Sequence, residues 1–160
     1  DNPDRPEPLR DALIESLLFD AGVPTLIVPY AGAKEFVPDV AVVAWNASPA
    51  AGRAVRAAMP LLAMAREVLV VMVEDGHPPP GEPGADIGAY LARHDLAVTV
   101  RTIENHPGGP GEAILGLAAR SEANWVVMGG YGHSRLREFL LGGATRHILA
   151  NATLPVLMSH

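Results

Sequence analysis

Five glycines in the last third of the chain have the spacing to handle an anion. Gly129, Gly130 and Gly132 follow a short apolar run, Trp125-Val126-Val127-Met128, and Gly142 and Gly143 stand at the mouth of a helical pattern. Glycine lets the backbone turn sharply and lets a ligand approach the main chain closely. A helix start adds unpaired N–H groups and the positive end of the helix dipole, so phosphate is the guest that fits. The set is not a Walker loop, because no Gly-Lys-Ser/Thr follows. Nor is it a dinucleotide fingerprint, because Arg135 stands three residues after Gly132 where a glycine belongs.

His133 and Ser134 lie inside the loop and invite a nucleophilic reading. A triad also needs a carboxylate that orients the base, and nothing in the sequence identifies one. Phosphate donors or solvent-facing loop residues are the roles these two fit. Arg135, Arg137 and Arg146 could grip phosphate bidentately, although a solvated face is the plainer reading beside a glycine loop. His77, His94, His106 and His147 lack ligand spacing such as His-x-x-x-His, so no metal site is expected. Glu74 and Asp75 end an apolar run where ribose or a purine edge could lie, or simply meet water. Trp45 could stack on a base or close the core.

The elements that must position these residues alternate in type. Asp39–Trp45 and Val68–Glu74 are apolar runs with one acidic end each, as in parallel strands covered by helices on both faces. Ser48 as N-cap and Pro49 at N1 open a helix to about Ala65. Asp86–His94 reads as a short helix, Ala97–Glu104 as a half-exposed edge strand, and Gly111–Glu122 as a helix that Pro110 introduces. Thr153–Met158 closes the chain as a strand. Strands and helices in alternation argue a doubly wound α/β fold, whose ligands bind beyond the carboxyl ends of the strands. The loops after Trp45, Glu74 and Met128 are therefore the expected site.

Composition narrows the partners. At 160 residues with 49% hydrophobic and 19% charged residues, the chain has ample material for one buried core. A net charge of −6 argues against nucleic acid as a partner. No apolar run approaches the roughly 18 residues that span a membrane. With no cysteine there is no disulfide or thiol chemistry, and a cytoplasmic location is expected.

The chain also repeats itself. Pro24 and Pro155 stand 131 residues apart, and at that offset Leu17-Leu18 matches Ile148-Leu149, Asp20-Ala21 matches Asn151-Ala152, and Leu26-Ile27-Val28 matches Leu157-Met158-Ser159. Both segments read as a helix, a small turn at Gly22 or its counterpart, and a Pro-led strand. Residues 1–36 thus read as the remnant helix and strand of a preceding domain copy plus a linker, and residues 37–160 as a whole domain. Two short edge strands with matching flanks are expected to pair antiparallel, Thr25–Val28 with Leu154–Met158, within a chain or between chains, because an unpaired edge is a liability.

These motifs together resemble the universal stress protein family. The spacing Gly129, two residues, Gly132, nine residues, Gly142 is similar to that family's nucleotide loop, which ends in Ser or Thr. Val42-Val43-Ala44-Trp45-Asn46-Ala47-Ser48 resembles its first strand and turn, Gly109–Ile114 the start of its third helix, and Leu154-Pro155-Val156-Leu157 its closing strand. The resemblance implies a five-stranded parallel sheet with helices on both faces, of the nucleotide-binding α-hydrolase-like kind. It implies a stress-response module that binds ATP, with Mg²⁺, or another adenine nucleotide, without strong catalysis. The site it implies is Asn46, Ala47, Gly129, Gly130, Gly132, His133, Gly142, Gly143 and Ala144. It also implies a homodimer, or a pseudo-dimer within one chain, through the Pro155–Met158 and Thr25–Val28 strands. Two residues depart from the pattern: Gly143 occupies the Ser/Thr position, and Asn46 stands where ATP binders usually carry Asp. An interaction module without nucleotide is the alternative.

Overall fold

The computed structural model describes residues 13–14, 16–17, 22–29, 36–74, 84–130 and 143–160. Within them the central strands are β2 (Val40–Ala44), β3 (Glu67–Val73) and β5 (Trp125–Gly129), joined by β4 (Val98–Ile103), β6 (Val156–Ser159) and a short β1 (Thr25–Ile27). The helices are α1 (Pro49–Leu62), α2 (Ala85–Ala92), α3 (Pro110–Arg120) and α4 (Gly143–Asn151). The sheet order is β1-β6-β5-β2-β3-β4. The five strands from β6 to β4 run parallel, and β1 adds an antiparallel edge.

Successive side chains of a strand point to opposite faces, and each central strand here feeds two cores. Val40, Val42, Leu69, Val71, Val126 and Met128 pack beneath Ile114 and Leu117 of α3 and Ile148 of α4. Ala41, Val43, Val68, Val70, Trp125 and Val127 pack beneath Ala54, Val55 and Leu62 of α1 and Ile87 and Leu91 of α2. Apolar residues at every position of β2 are the consequence of burial on both sides. β4 is exposed at Val100, Arg101 and Thr102, as an edge strand with one covered face should be.

Local chemistry sets the helix starts. Ser48 caps α1 and Pro49 follows it, while Pro110 begins α3 after Gly109, whose φ of 89° needs a glycine. Gly22, before β1, has φ 60°, the left-handed geometry of a residue that ends a helix. α1 ends at Leu62, three residues before the expected Ala65. Its Pro60 lacks the N–H that an internal helix residue would donate.

The expected antiparallel pairing is present within the chain: Thr25 faces Met158, Leu26 faces Leu157 and Ile27 faces Val156. At the amino ends of β2 and β5, Asn124 clasps the two central strands together. Its side-chain oxygen accepts from the Val40 N–H at 2.7 Å, and its own N–H donates to the Val40 carbonyl at 2.8 Å. Asn124→Ala strands the Val40 donor, so unfolding titrations should show a loss of about 1–3 kcal/mol.

Candidate functional site

The winding direction reverses between β2 and β5. From β2 the chain proceeds through β3 and β4 to one edge, and from β5 it proceeds to β6 on the other side. The two strands are in register up to Ala44 and Met128. Beyond that pair the chain leaves β2 through Trp45-Asn46-Ala47-Ser48 and leaves β5 through Gly129-Gly130. Such a crevice is where open α/β sheets bind ligands.

The turn after β2 is built by its own side chains. The Ser48 N–H donates to the Asn46 side-chain oxygen at 3.2 Å, and Ala47 takes φ 55°, unusual for a residue with a side chain. The Ser48 hydroxyl then accepts from the Ala51 N–H at 3.1 Å, while its carbonyl accepts from the Gly52 N–H at 3.0 Å. Pro49 has no N–H to offer. Among the described residues this leaves the Ala50 N–H as the first-turn donor that the cap does not use. Asn46 and Ala47 are both exposed at the rim.

Gly129 is the hinge of the site, for a steric reason. A Cβ placed on it would sit 2.5 Å from the Ala51 nitrogen and 2.9 Å from the Ala50 carbonyl carbon. The end of β5 therefore lies directly against the first turn of α1, an approach only glycine permits. Gly130 is buried and its N–H donates to the Ser159 carbonyl at 2.8 Å, which commits that donor to the sheet rather than to a ligand. The His160 ring lies 3.4 Å from the Gly130 carbonyl, and Arg53 Nε of α1 donates to the His160 carbonyl at 2.6 Å. Arg53 and His160 thus flank the crevice. The sequence offered one route to them: β6 lies parallel beside β5, so its end must reach the same edge.

Gly143 and Ala144 begin α4, which must start at this edge because β6 after it runs parallel to β5. Gly111 of α3 pins that start, since a Cβ there would meet the Ala144 carbonyl oxygen at 2.9 Å and the His147 Cβ at 2.8 Å. Gly143 itself is exposed, and a Cβ on it would meet nothing within 4 Å. Arg146, in the first turn of α4, is exposed as well. Gly132, His133 and Gly142 lie outside the described residues, as do Asp75, His77, Ser134, Arg135 and Arg137.

The remaining candidates lie elsewhere. Trp45 is half-buried against the core and lines a cleft of about 210 Å³ between α1 and α2, with Arg56, Asp86 and Tyr90. Glu74 is exposed at the end of β3. His94 stacks edge-on against Tyr90, and His106 lies 3.0 Å from Glu112. Among the described residues no three His, Asp or Glu side chains are grouped to hold a metal. No described helix is long and apolar enough to cross a membrane.

The sequence profile of the Universal stress protein family matches residues 39–160. The chain belongs to that family. Solved relatives share its fold. A universal stress protein from Archaeoglobus fulgidus is 22% identical at a TM-score of 0.72, over 92% of this chain and 55% of its own. UspA from Lactobacillus plantarum is 16% identical at a TM-score of 0.57, over 76% and 97%. A family protein from Burkholderia pseudomallei is 23% identical at a TM-score of 0.56, over 78% and 97%. The chain therefore spans about half the length of the first. The search of curated proteins finds no match.

Gly129→Ala drives a methyl into the backbone of α1, whereas Gly143→Ala meets open space. Thermal melts should show the first losing about 1–3 kcal/mol through overpacking. The second should be neutral or stabilising, since alanine is the better helix former.

Proposed function

We propose that this universal stress protein domain binds an adenine nucleotide, ATP with Mg²⁺ foremost, and responds to its occupancy without strong catalysis. The supporting observation is that two helices, one on each face, start at the carboxyl edge of the parallel strands. α1 begins after the Ser48 cap and α4 begins at Gly143, both at that edge. Both helices point their positive ends there, which favours a polyphosphate. Arg53 and His160, bonded to each other, bring a guanidinium to the same rim.

The residues suit the guest, with two adjustments to the expected cradle. Gly129 serves packing rather than ligand approach, and the Gly130 donor is spent on Ser159. Phosphate contacts then fall to the α1 and α4 starts and to the loop between β5 and α4. Asn46 is neutral, so it does not repel phosphate. Its oxygen is tied to Ser48, which leaves the side-chain amide as the group turned to a nucleoside.

The alternative is an interaction module of the same family without nucleotide. Gly143 favours it, because it leaves the family pattern's Ser/Thr position without a hydroxyl. Titration calorimetry with ATP, AMP and Mg²⁺ separates the two: measurable heat at millimolar ligand supports the first, and its absence the second.

Gly143→Ser supplies the missing hydroxyl at a position with room for it. A hydrogen bond to a charged group is worth about 1.5–3 kcal/mol, so ATP affinity should rise by about tenfold or more in the same titration. Asn46→Asp should keep the turn, because a carboxylate oxygen can accept from Ser48. The variant should then make ATP binding more dependent on Mg²⁺.

A further inference from the structure

A second cavity, of about 340 Å³, opens where the edge strand β4 gives way to α3. Sites for small molecules run from about 300 to 1,000 Å³, so it has room for a modest guest. β3 stands between β4 and the β2–β5 crossing, which sets this cavity apart from the proposed nucleotide site. Its apolar lining is Ile103, packed against the core, and the buried Ala113.

The helical wall follows from sequence spacing. Glu112, Gly116 and Arg120 recur every fourth residue and share one face of α3. Gly116, in the middle, leaves the space that a side chain would fill. A Cβ there would lie 3.2 Å from Arg120 Nη1, so the guanidinium folds back along the helix toward the gap.

The turn at the mouth is held in place. The Gly109 N–H donates to the His106 carbonyl at 2.7 Å. Glu112 Oε2 lies 3.0 Å from His106 Nδ1, and the Glu112 carboxylate rests against Gly108. Glu112 and His106 are thus engaged with each other.

Two charges remain. Glu104 and Arg120 line the same cavity, yet among the described residues neither side chain has an ion pair or a hydrogen bond. Opposite charges that face one space without closing on each other suit a guest carrying both. An ammonium group matches Glu104, and a carboxylate matches the planar fork of Arg120. A simple anion would meet Glu104 and Glu112, and a simple cation would meet Arg120.

We propose that this cavity binds a small zwitterion, an amino acid whose ammonium meets Glu104 and whose carboxylate meets Arg120. Ile103 and Ala113 take its carbon chain. Both charged residues are exposed, so water screens each contact and the affinity is of about millimolar order.

Amide shifts of the full chain, followed by nuclear magnetic resonance, test this with L-leucine and 5-aminopentanoate as probes. At least one should give saturable shifts at Ile103, Asn105 and Gly116. Pentylamine and pentanoate, which carry one charge each, should bind about fivefold more weakly or not at all. Glu104→Gln and Arg120→Gln should each weaken the zwitterion by about fivefold. Gly116→Leu fills the cavity at a helix position where leucine is favoured, so it should stay folded and lose the saturable shifts. These amides lie away from Ala50 and Gly143–Thr145, so the result is independent of whether ATP binds. No saturable shift with either probe at millimolar concentration overturns the proposal. So does equal binding of pentylamine or pentanoate, or unchanged affinity in Glu104→Gln, Arg120→Gln or folded Gly116→Leu.

Discussion

The close approach of Gly129 to the first turn of α1 is the contact on which the arrangement depends. It sets the height of α1 over the sheet, and therefore the place where its capped start meets the β2–β5 crossing. Everything at the crevice follows from that distance. The Ser48 hydroxyl caps the Ala51 N–H, Arg53 reaches across to His160, and the His160 ring lies beside the Gly130 carbonyl. A side chain at Gly129 would lift α1 and loosen all three. The corresponding contact on the other face is Gly111 against the start of α4. Two glycines, one per face, thus fix the two helix starts that the proposed nucleotide would use.

This changes what the glycine cluster means. Read as residues, Gly129 and Gly130 look like the first members of a phosphate cradle. In the fold, one packs against a helix and the other completes a strand ladder. In the proposed site both would serve binding by placing the donors rather than by being them. The chemistry proposed there moves to the helix starts, where the positive end of the dipole favours an anion.

Much of this architecture was legible because burial on two faces forces an unbroken apolar run. β2, β3 and β5 could be read directly for that reason, and β4 could be read as an edge from its polar interruptions. Ser48-Pro49 and Pro110 marked helix starts through their own backbone chemistry. β1 was legible as a short edge strand from the prolines that bound it, and its partner from the flanks it shares with β6. The limits lie where physics is non-local. A sequence cannot say whether a glycine is needed for a ligand or for a neighbouring helix, as at Gly129. It cannot show that the Gly130 donor is spent on Ser159, or that His160 sits beside it. β6 starts at Val156, three residues after the expected Thr153 and just beyond Pro155, whose missing N–H cannot join a ladder.

The central claim is that nucleotide meets the α1 and α4 helix starts at the β2–β5 crossing. Amide chemical shifts followed by nuclear magnetic resonance during titration with Mg²⁺ and ATP test it most directly. The account predicts shifts at Ala50 and at Gly143–Thr145, while the Gly130 amide, held by Ser159, stays close to its free position. An unchanged spectrum at saturating ATP, or shifts centred on the cleft lined by Trp45, Asp86 and Tyr90, would contradict it.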